Sequence, residues 1–315
     1  MNRRWLAAFI FLALGRSAAA ADLRLGIVGT DTSHVLGLAA AFNDPAAPDH
    51  VPGARIVAAY KGGSRDFAPS RDRIEGFTRQ LQEKFGVEFV GSIAELCARV
   101  DGVLLTSVDG RLHLAEARAI IAARKPMFVD KPLAATLEDA REIARLAKEA
   151  GVPWFSTSTL RYGVAAMKTG DVSGADVWGP GPLGEGHPLD LSYYAIHEAE
   201  MLFTLLGPGC EEVTRVRTAD ADVVTCRWTD GRLGTMRALR PYGTYGAVVF
   251  HRGAKAQTAQ TGVPSSSLAP LVRDLVKFFG SGVPPVANEE TLDLFAFLDA
   301  AQRSVSAGGA PTRVR

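Results

Sequence analysis

From residue 23 to residue 152, short apolar runs alternate with longer amphipathic stretches, and this alternation limits the fold more than any single motif does. The apolar runs predict strands over residues 23–28, 55–60, 102–107, 127–129 and 153–156. The stretches between them predict helices over residues 34–42, 70–85, 93–100, 113–123 and 137–150. The last of these is well punctuated, because Thr136 and Asp139 form a capping box and Gly151 is placed to end it. Strands this apolar are buried on both faces, so the expectation is a parallel sheet covered by helices on both sides.

Beyond Pro153 the texture changes. Gly179-Pro-Gly-Pro182 and Gly184-Glu-Gly186 precede one strong helix, predicted over residues 192–206 and stopped by Gly207-Pro208. Strands are predicted over residues 213–217, 222–228, 231–238 and 247–252, reading as a meander with Asp230-Gly231 as a hairpin turn. Helices over residues 268–279 and 289–306 close the chain. At this length two domains are expected: residues 22–152, and an α+β domain over residues 153–315 with a mainly antiparallel open sheet.

Residues 1–21 carry the three-part pattern of a secretory signal peptide. Arg3 and Arg4 give the positive start, Trp5 to Leu14 the apolar stretch, and Ala18-Ala-Ala-Ala21 the small residues for cleavage. About ten apolar residues are too few for a bilayer core that needs roughly 20. The mature chain is therefore expected to be exported, periplasmic or extracellular, by either the general or the twin-arginine route. With 35 basic against 34 acidic residues, nothing in the charge calls for nucleic acid or an anionic membrane as partner. Cys97, Cys210 and Cys226 define neither a disulfide framework nor a zinc motif. Cys97 reads as core, and pairing of Cys210 with Cys226 stays open. Asp31, His34, His187, Asp190 and His197 lack a strong ligand spacing, so no metal is expected.

The turn after the first strand is where a dinucleotide's pyrophosphate would meet a helix N-terminus. Read as G-x-G-x-x-G it runs Gly29-Thr30-Asp31-Thr32-Ser33-His34, which makes these six residues cofactor-binding candidates although only the first glycine is kept. A carboxylate within about 4 Å of a phosphate costs about 1–4 kcal/mol. The alternative, that Asp31, Thr32 and Ser33 cap the helix, stays open. After the second strand, Tyr60-Lys61-Gly62-Gly63-Ser64-Arg65 holds no acid. If a dinucleotide binds, Lys61, Ser64 and Arg65 suit the extra phosphate of NADP better than they suit NAD; otherwise they form a basic loop.

Three later segments belong together: Thr106-Ser107-Val108-Asp109-Gly110-Arg111-Leu112-His113, then Val129-Asp130-Lys131-Pro132, then Tyr194-Ala-Ile-His197-Glu-Ala-Glu200. In order and spacing they resemble the glucose-fructose oxidoreductase and inositol dehydrogenase (Gfo/Idh/MocA) family over nearly the whole mature chain. The resemblance implies a Rossmann doubly wound domain, with a nicotinamide cofactor across its strand ends and a carbohydrate between the domains. It makes Lys131, His197 and Glu200 the catalytic candidates. Lys131 orients substrate, and His197, on one helical face with Glu200, shuttles a hydroxyl proton. It adds Ser107, Asp109, His113 and Asp130 to the cofactor side. Arg161, Tyr162 and Tyr194 become candidate substrate contacts. Tyr193 stands where the family has an aspartate, with His187 and Asp190 just upstream as substitutes. Association into a homo-oligomer through the open sheet is implied as well.

The expected function is thus that of an oxidoreductase acting on a hydroxyl of a sugar, polyol or glycoside with a tightly held NAD(P). Two alternatives accompany it: a redox-neutral glycoside hydrolase or lyase on the same scaffold, with or without a cofactor, and a non-catalytic carbohydrate-binding protein.

Overall fold

The computed structural model describes residues 21–253, 258–263 and 267–315; the segment expected to be a signal peptide lies outside the described residues apart from Ala21. In its first half the chain forms β1 (Leu23–Val28), α1 (His34–Asn43), β2 (Ala54–Tyr60), α2 (Ala68–Arg71), α3 (Ile74–Phe85), β3 (Glu88–Phe89), α4 (Ile93–Arg99), β4 (Gly102–Leu105), α5 (His113–Ala122), β5 (Met127–Asp130), α6 (Leu137–Ala150) and β6 (Trp154–Thr157). All six strands are parallel, in the order β3-β2-β1-β4-β5-β6. This is the doubly wound Rossmann arrangement, with β1 and β4 flanking the point where the strand order reverses. The helix expected over residues 70–85 is broken between Arg71 and Ile74. Thr136 caps α6 by accepting the Asp139 amide at 3.0 Å, and Gly151 ends it at φ 63°.

The second half adds α7 (Leu160–Val164), β7 (Val172–Pro180), α8 (Ile196–Leu206), β8 (Cys210–Arg217), β9 (Ala221–Trp228), β10 (Leu233–Leu239), β11 (Gly246–His251), β12 (Thr258–Thr261), α9 (Ala269–Ser281), α10 (Asn288–Ser306) and β13 (Thr312–Arg313). The sheet order is β12-β11-β7-β10-β9-β8-β13, antiparallel throughout except where β7 runs parallel to β10. Only β8, β9 and β10 form a meander. The unexpected β7 separates β10 from β11, and its glycines obscure its alternating burial pattern in the sequence. Helix α8 starts at Ile196, four residues later than expected, because the segment before it is turned: Ser192 bonds back to the Leu189 carbonyl at 2.7 Å. Cys210 and Cys226 form a disulfide between β8 and β9, with Cα atoms 6.0 Å apart, and Cys97 is buried.

The boundary expected at residue 152 does not separate the layers. Strand β6 lies beyond it and completes the first sheet. Helix α9 returns from near the end of the chain to cover that sheet beside α1, packing Leu271, Val272, Leu275 and Phe278 against Phe128 and Phe155. Among the described residues no helix is long and apolar enough to cross a membrane.

Candidate active site

A cavity of about 210 Å3 lies over the C-terminal ends of β5 and β6, where open α/β sheets bind ligands. Ser33 and His34 enter it from the start of α1, Asp130 and Lys131 from the end of β5, Ser158 from the end of β6, and His197 from the first turn of α8. Leu268 and Leu271 form an apolar wall. It is smaller than the roughly 300–1,000 Å3 of drug-sized pockets, a volume for a monosaccharide-sized ligand and not for a whole dinucleotide.

The titratable groups are held in distinct states. His197 Nδ1 lies 2.6 Å from Ser158 Oγ. Burial, reinforced by Lys131 and His34, pushes its pKa well below the usual histidine value, so at neutral pH the imidazole is uncharged and able to take a proton. Burial also lowers the pKa of Lys131, partly opposed by Asp130, and Lys131 Nζ sits 5.7 Å from the centre of the Tyr194 ring. His34 Nδ1 is 2.5 Å from Asp130 Oδ2. Burial works against the charge of Asp130, but His34 and Lys131 outweigh it and hold the carboxyl below its usual range.

Glu198, beside His197, went unnoticed in the sequence. It is fully buried, neither carboxyl oxygen has a hydrogen-bond partner, and burial pushes its pKa well above the carboxylate range. It fits because Gly179 of β7 has no side chain: a Cβ there would lie 2.6 Å from Glu198 Oε1. Aromatic rings continue the site across the molecule, from Phe67 through Tyr193 and Tyr194 to His197 and Tyr245, with neighbouring centroids 5.3 to 6.1 Å apart.

Other expected residues lie elsewhere. Glu200 shares the α8 face with His197 but bonds to Thr157 at 2.5 Å and to Arg161 at 2.8 Å, and Arg161 also pairs with Glu290. Tyr162 donates to Asp274 of α9 at 2.8 Å. Arg161, Tyr162 and Glu200 therefore clamp α7, α8, α9 and α10 together, outside the cavity wall. Asp190 pairs with Arg215 and Arg217 at the second sheet. His187 Nε2 lies 3.3 Å from Asp109 Oδ1, and its ring packs on Phe67 and Tyr193. Among the described residues no three His, Cys, Asp or Glu side chains form a group that could hold a metal ion.

The region a dinucleotide's phosphates would occupy is filled. Gly29, at φ +86°, makes the tight turn, but a Cβ on it would lie 2.2 Å from Ser107 Oγ, so the β1 and β4 ends touch. Asp31, at the second glycine position, is fully buried and accepts the Val108 amide at 2.9 Å; its other oxygen has no hydrogen-bond partner. Ser107 donates to the buried Glu116 at 2.9 Å, and His113 is fixed between the Ser107 and Leu133 carbonyls. Burial, with Asp31 and Asp109 nearby, raises the Glu116 pKa. Two of the basic residues are already matched: Lys61 pairs with Glu75, and Arg111 pairs with Asp66 and Asp109. Thr30 is buried against Thr78 and the Lys61 carbonyl, Ser64 bonds to Asp66, and Arg65 is exposed. Of the capping alternative only Thr32 contributes, through a 3.4 Å contact with the His34 amide; Ser33, at the N-cap of α1, makes no side-chain cap bond. These residues do not fit a pyrophosphate. A seat that holds the buried Asp31 carboxyl, and whose Lys61 and Arg111 are already paired, opposes one.

Residues 23–158 match the profile of a family described as an oxidoreductase family with an NAD-binding Rossmann fold, Gfo/Idh/MocA. The first domain is thus similar to the Rossmann domain of that family. A 1,5-anhydro-D-fructose reductase of Ensifer adhaerens is 40% identical over 77 residues, a match covering 24% of this chain and 23% of that reductase. Similarity in three dimensions extends much further. The myo-inositol 2-dehydrogenase of Lactobacillus plantarum aligns over 94% of this chain and 100% of its own, with a TM-score of 0.73 and 14% identity. An oxidoreductase of Agrobacterium radiobacter, solved with NAD+, L-tartaric acid and magnesium, aligns over 93% of this chain and 99% of its own, with a TM-score of 0.70 and 16% identity. At these identities the similarity shows a shared fold along nearly the whole chain.

Proposed function

We propose that this protein is an exported carbohydrate-active enzyme of the Gfo/Idh/MocA type, acting at a hydroxyl-bearing carbon of a sugar, polyol or glycoside. The observation that carries the reading is the meeting of Lys131 and a neutral His197 in one monosaccharide-sized cavity at the strand ends. Lys131 donates to a substrate oxygen, and His197 exchanges the hydroxyl proton with support from Ser158. The sugar and inositol enzymes among the relatives support the substrate class. The Cys210–Cys226 disulfide supports an oxidising compartment, in keeping with the N-terminal signal. Val216 and Leu233, exposed on the second sheet, support self-association there.

Two versions differ in what becomes of the electrons. The family description and the NAD complex of a structural neighbour favour an oxidoreductase holding NAD(P) tightly. The pairing of Lys61 and Ser64 with acids leaves Arg65 alone of the three to favour NADP. The carboxyl of Asp31 in the phosphate seat favours the redox-neutral version.

The test uses the purified mature protein, scanned for bound nicotinamide and incubated with a panel of sugars, polyols and glycosides, with and without NAD+ or NADP+. His197→Gln and Lys131→Met are each expected to slow conversion by about 10²- to 10⁴-fold with unchanged circular dichroism. Conversion unaffected by both substitutions refutes the assignment. Binding of a panel sugar without any conversion leaves a carbohydrate-binding protein instead.

A further inference from the structure

We propose that His34, held by Asp130, is a catalytic base of this cavity, and that the protein uses it for redox-neutral proton transfer at a carbon beside the carbonyl of a keto sugar. The inference rests on the cavity being the site of carbohydrate chemistry, as proposed above.

Three observations carry it. His34 stands where a dinucleotide-binding turn has its third glycine, so its imidazole replaces empty space at the start of α1. That ring lines the same cavity as Lys131 and His197. Its Nδ1 is engaged by Asp130, an arrangement that fixes the tautomer and leaves Nε2 as the basic nitrogen. The Asp130 carboxyl is in turn steadied by the Lys131 amide at 2.9 Å, so the pair is built into the end of β5.

The filled phosphate seat decides which chemistry such a base serves. Without an electron acceptor, an alcohol carbon cannot release hydride, whereas a C–H beside a carbonyl can lose a proton to an imidazole. In the step proposed, His34 Nε2 takes that proton and the C–H electron pair becomes the C=C bond of an enolate. The negative charge gathers on the former carbonyl oxygen, next to Lys131 Nζ. Return of a proton to the same carbon restores the ketone, on either face, and no electrons leave the substrate. The uncharged His197 provides a second proton-transfer group for the neighbouring hydroxyl.

The experiment incubates the mature protein with dihydroxyacetone and with D-fructose in D2O without dinucleotide, following loss of the C–H signals beside the carbonyl by proton NMR. The wild-type protein is expected to speed deuterium exchange, and His34→Gly to reduce that acceleration by about 100-fold. Added imidazole is expected to restore exchange to His34→Gly and not to His197→Gln. A histidine that only packs the turn would give no such rescue. Exchange by His34→Gly within about twofold of wild type, or loss without imidazole rescue, overturns the proposal. Absence of wild-type exchange on both sugars overturns it as well. In either case the wider reading survives if Lys131→Met and His197→Gln abolish panel conversion that depends on added NAD(H) or NADP(H).

Discussion

The carboxyl of Asp31 accepts the backbone amide of Val108 at 2.9 Å, tying the loop after β1 to the loop after β4 across the reversal point of the sheet. A dinucleotide in this turn would meet the buried Asp31 carboxyl. Combining Asp31→Gly with His34→Gly recreates the full glycine pattern and removes that carboxyl. Calorimetric titration with NADH and NADPH is expected to show at least a roughly fivefold gain in affinity over wild type, the lower end of about 1–4 kcal/mol of relieved repulsion. Unchanged affinity would show that this carboxyl does not guard the seat.

Arg161 offers a contrasting prediction. Its guanidinium lies largely buried between Glu200 and Glu290, and these two carboxylates outweigh burial to keep it charged. Arg161→Ala leaves two carboxylates facing each other and is expected to cost about 3–5 kcal/mol in urea unfolding. The same variant is expected to keep the ligand affinity of the cavity, since Arg161 lies outside its wall. A large loss of affinity with little loss of stability would return Arg161 to the substrate site.

Glu198 makes stability depend on pH. Its folded-state pKa is raised well above 4.5, so the folded protein holds a proton there that the unfolded chain releases as pH rises. Its contribution is therefore fully present below about pH 4.5 and declines from there towards neutrality. Glu198→Gln removes that dependence and is expected to be more stable than wild type at neutral pH, the gap closing in acid. Denaturant midpoints at both pH values test the sign; a variant less stable at neutral pH would mean that the carboxyl has a partner in solution.

His197 runs the other way. Its folded pKa lies below 6.5, so acid protonates the unfolded chain first and stability falls as pH drops through that value. His197→Gln is expected to flatten this acid limb while abolishing activity. A titration of the His197 ring resonances by NMR that gives an ordinary histidine pKa would contradict both statements.

The fold was legible wherever one physical signal dominated. The buried runs of β1, β4 and β5 and the capped, strongly amphipathic α6 could be read because every local preference in them agrees. Strand β7 could not, since Gly174 and Gly179 interrupt its pattern where backbone and Glu198 approach closely. That Lys131 and His197 would lie close together was readable from their motifs, and both line the cavity. Glu198 was not, because a neighbour one residue away on a helix points in another direction, and only the packing of α8 on β7 shows that it is enclosed. Glu200 had the right helical spacing from His197, and Arg161, 39 positions away, claimed its carboxyl.

The return of α9 to the first sheet has a consequence for biosynthesis. Leu268 and Leu271 wall the cavity, while Leu275 and Phe278 cover aromatic residues of β5 and β6 that were synthesised more than a hundred residues earlier. On the ribosome, the first domain emerges with that patch bare and its ligand cavity open on one side. The cavity closes only when nearly the whole polypeptide is available, so the amino-terminal half alone does not complete it.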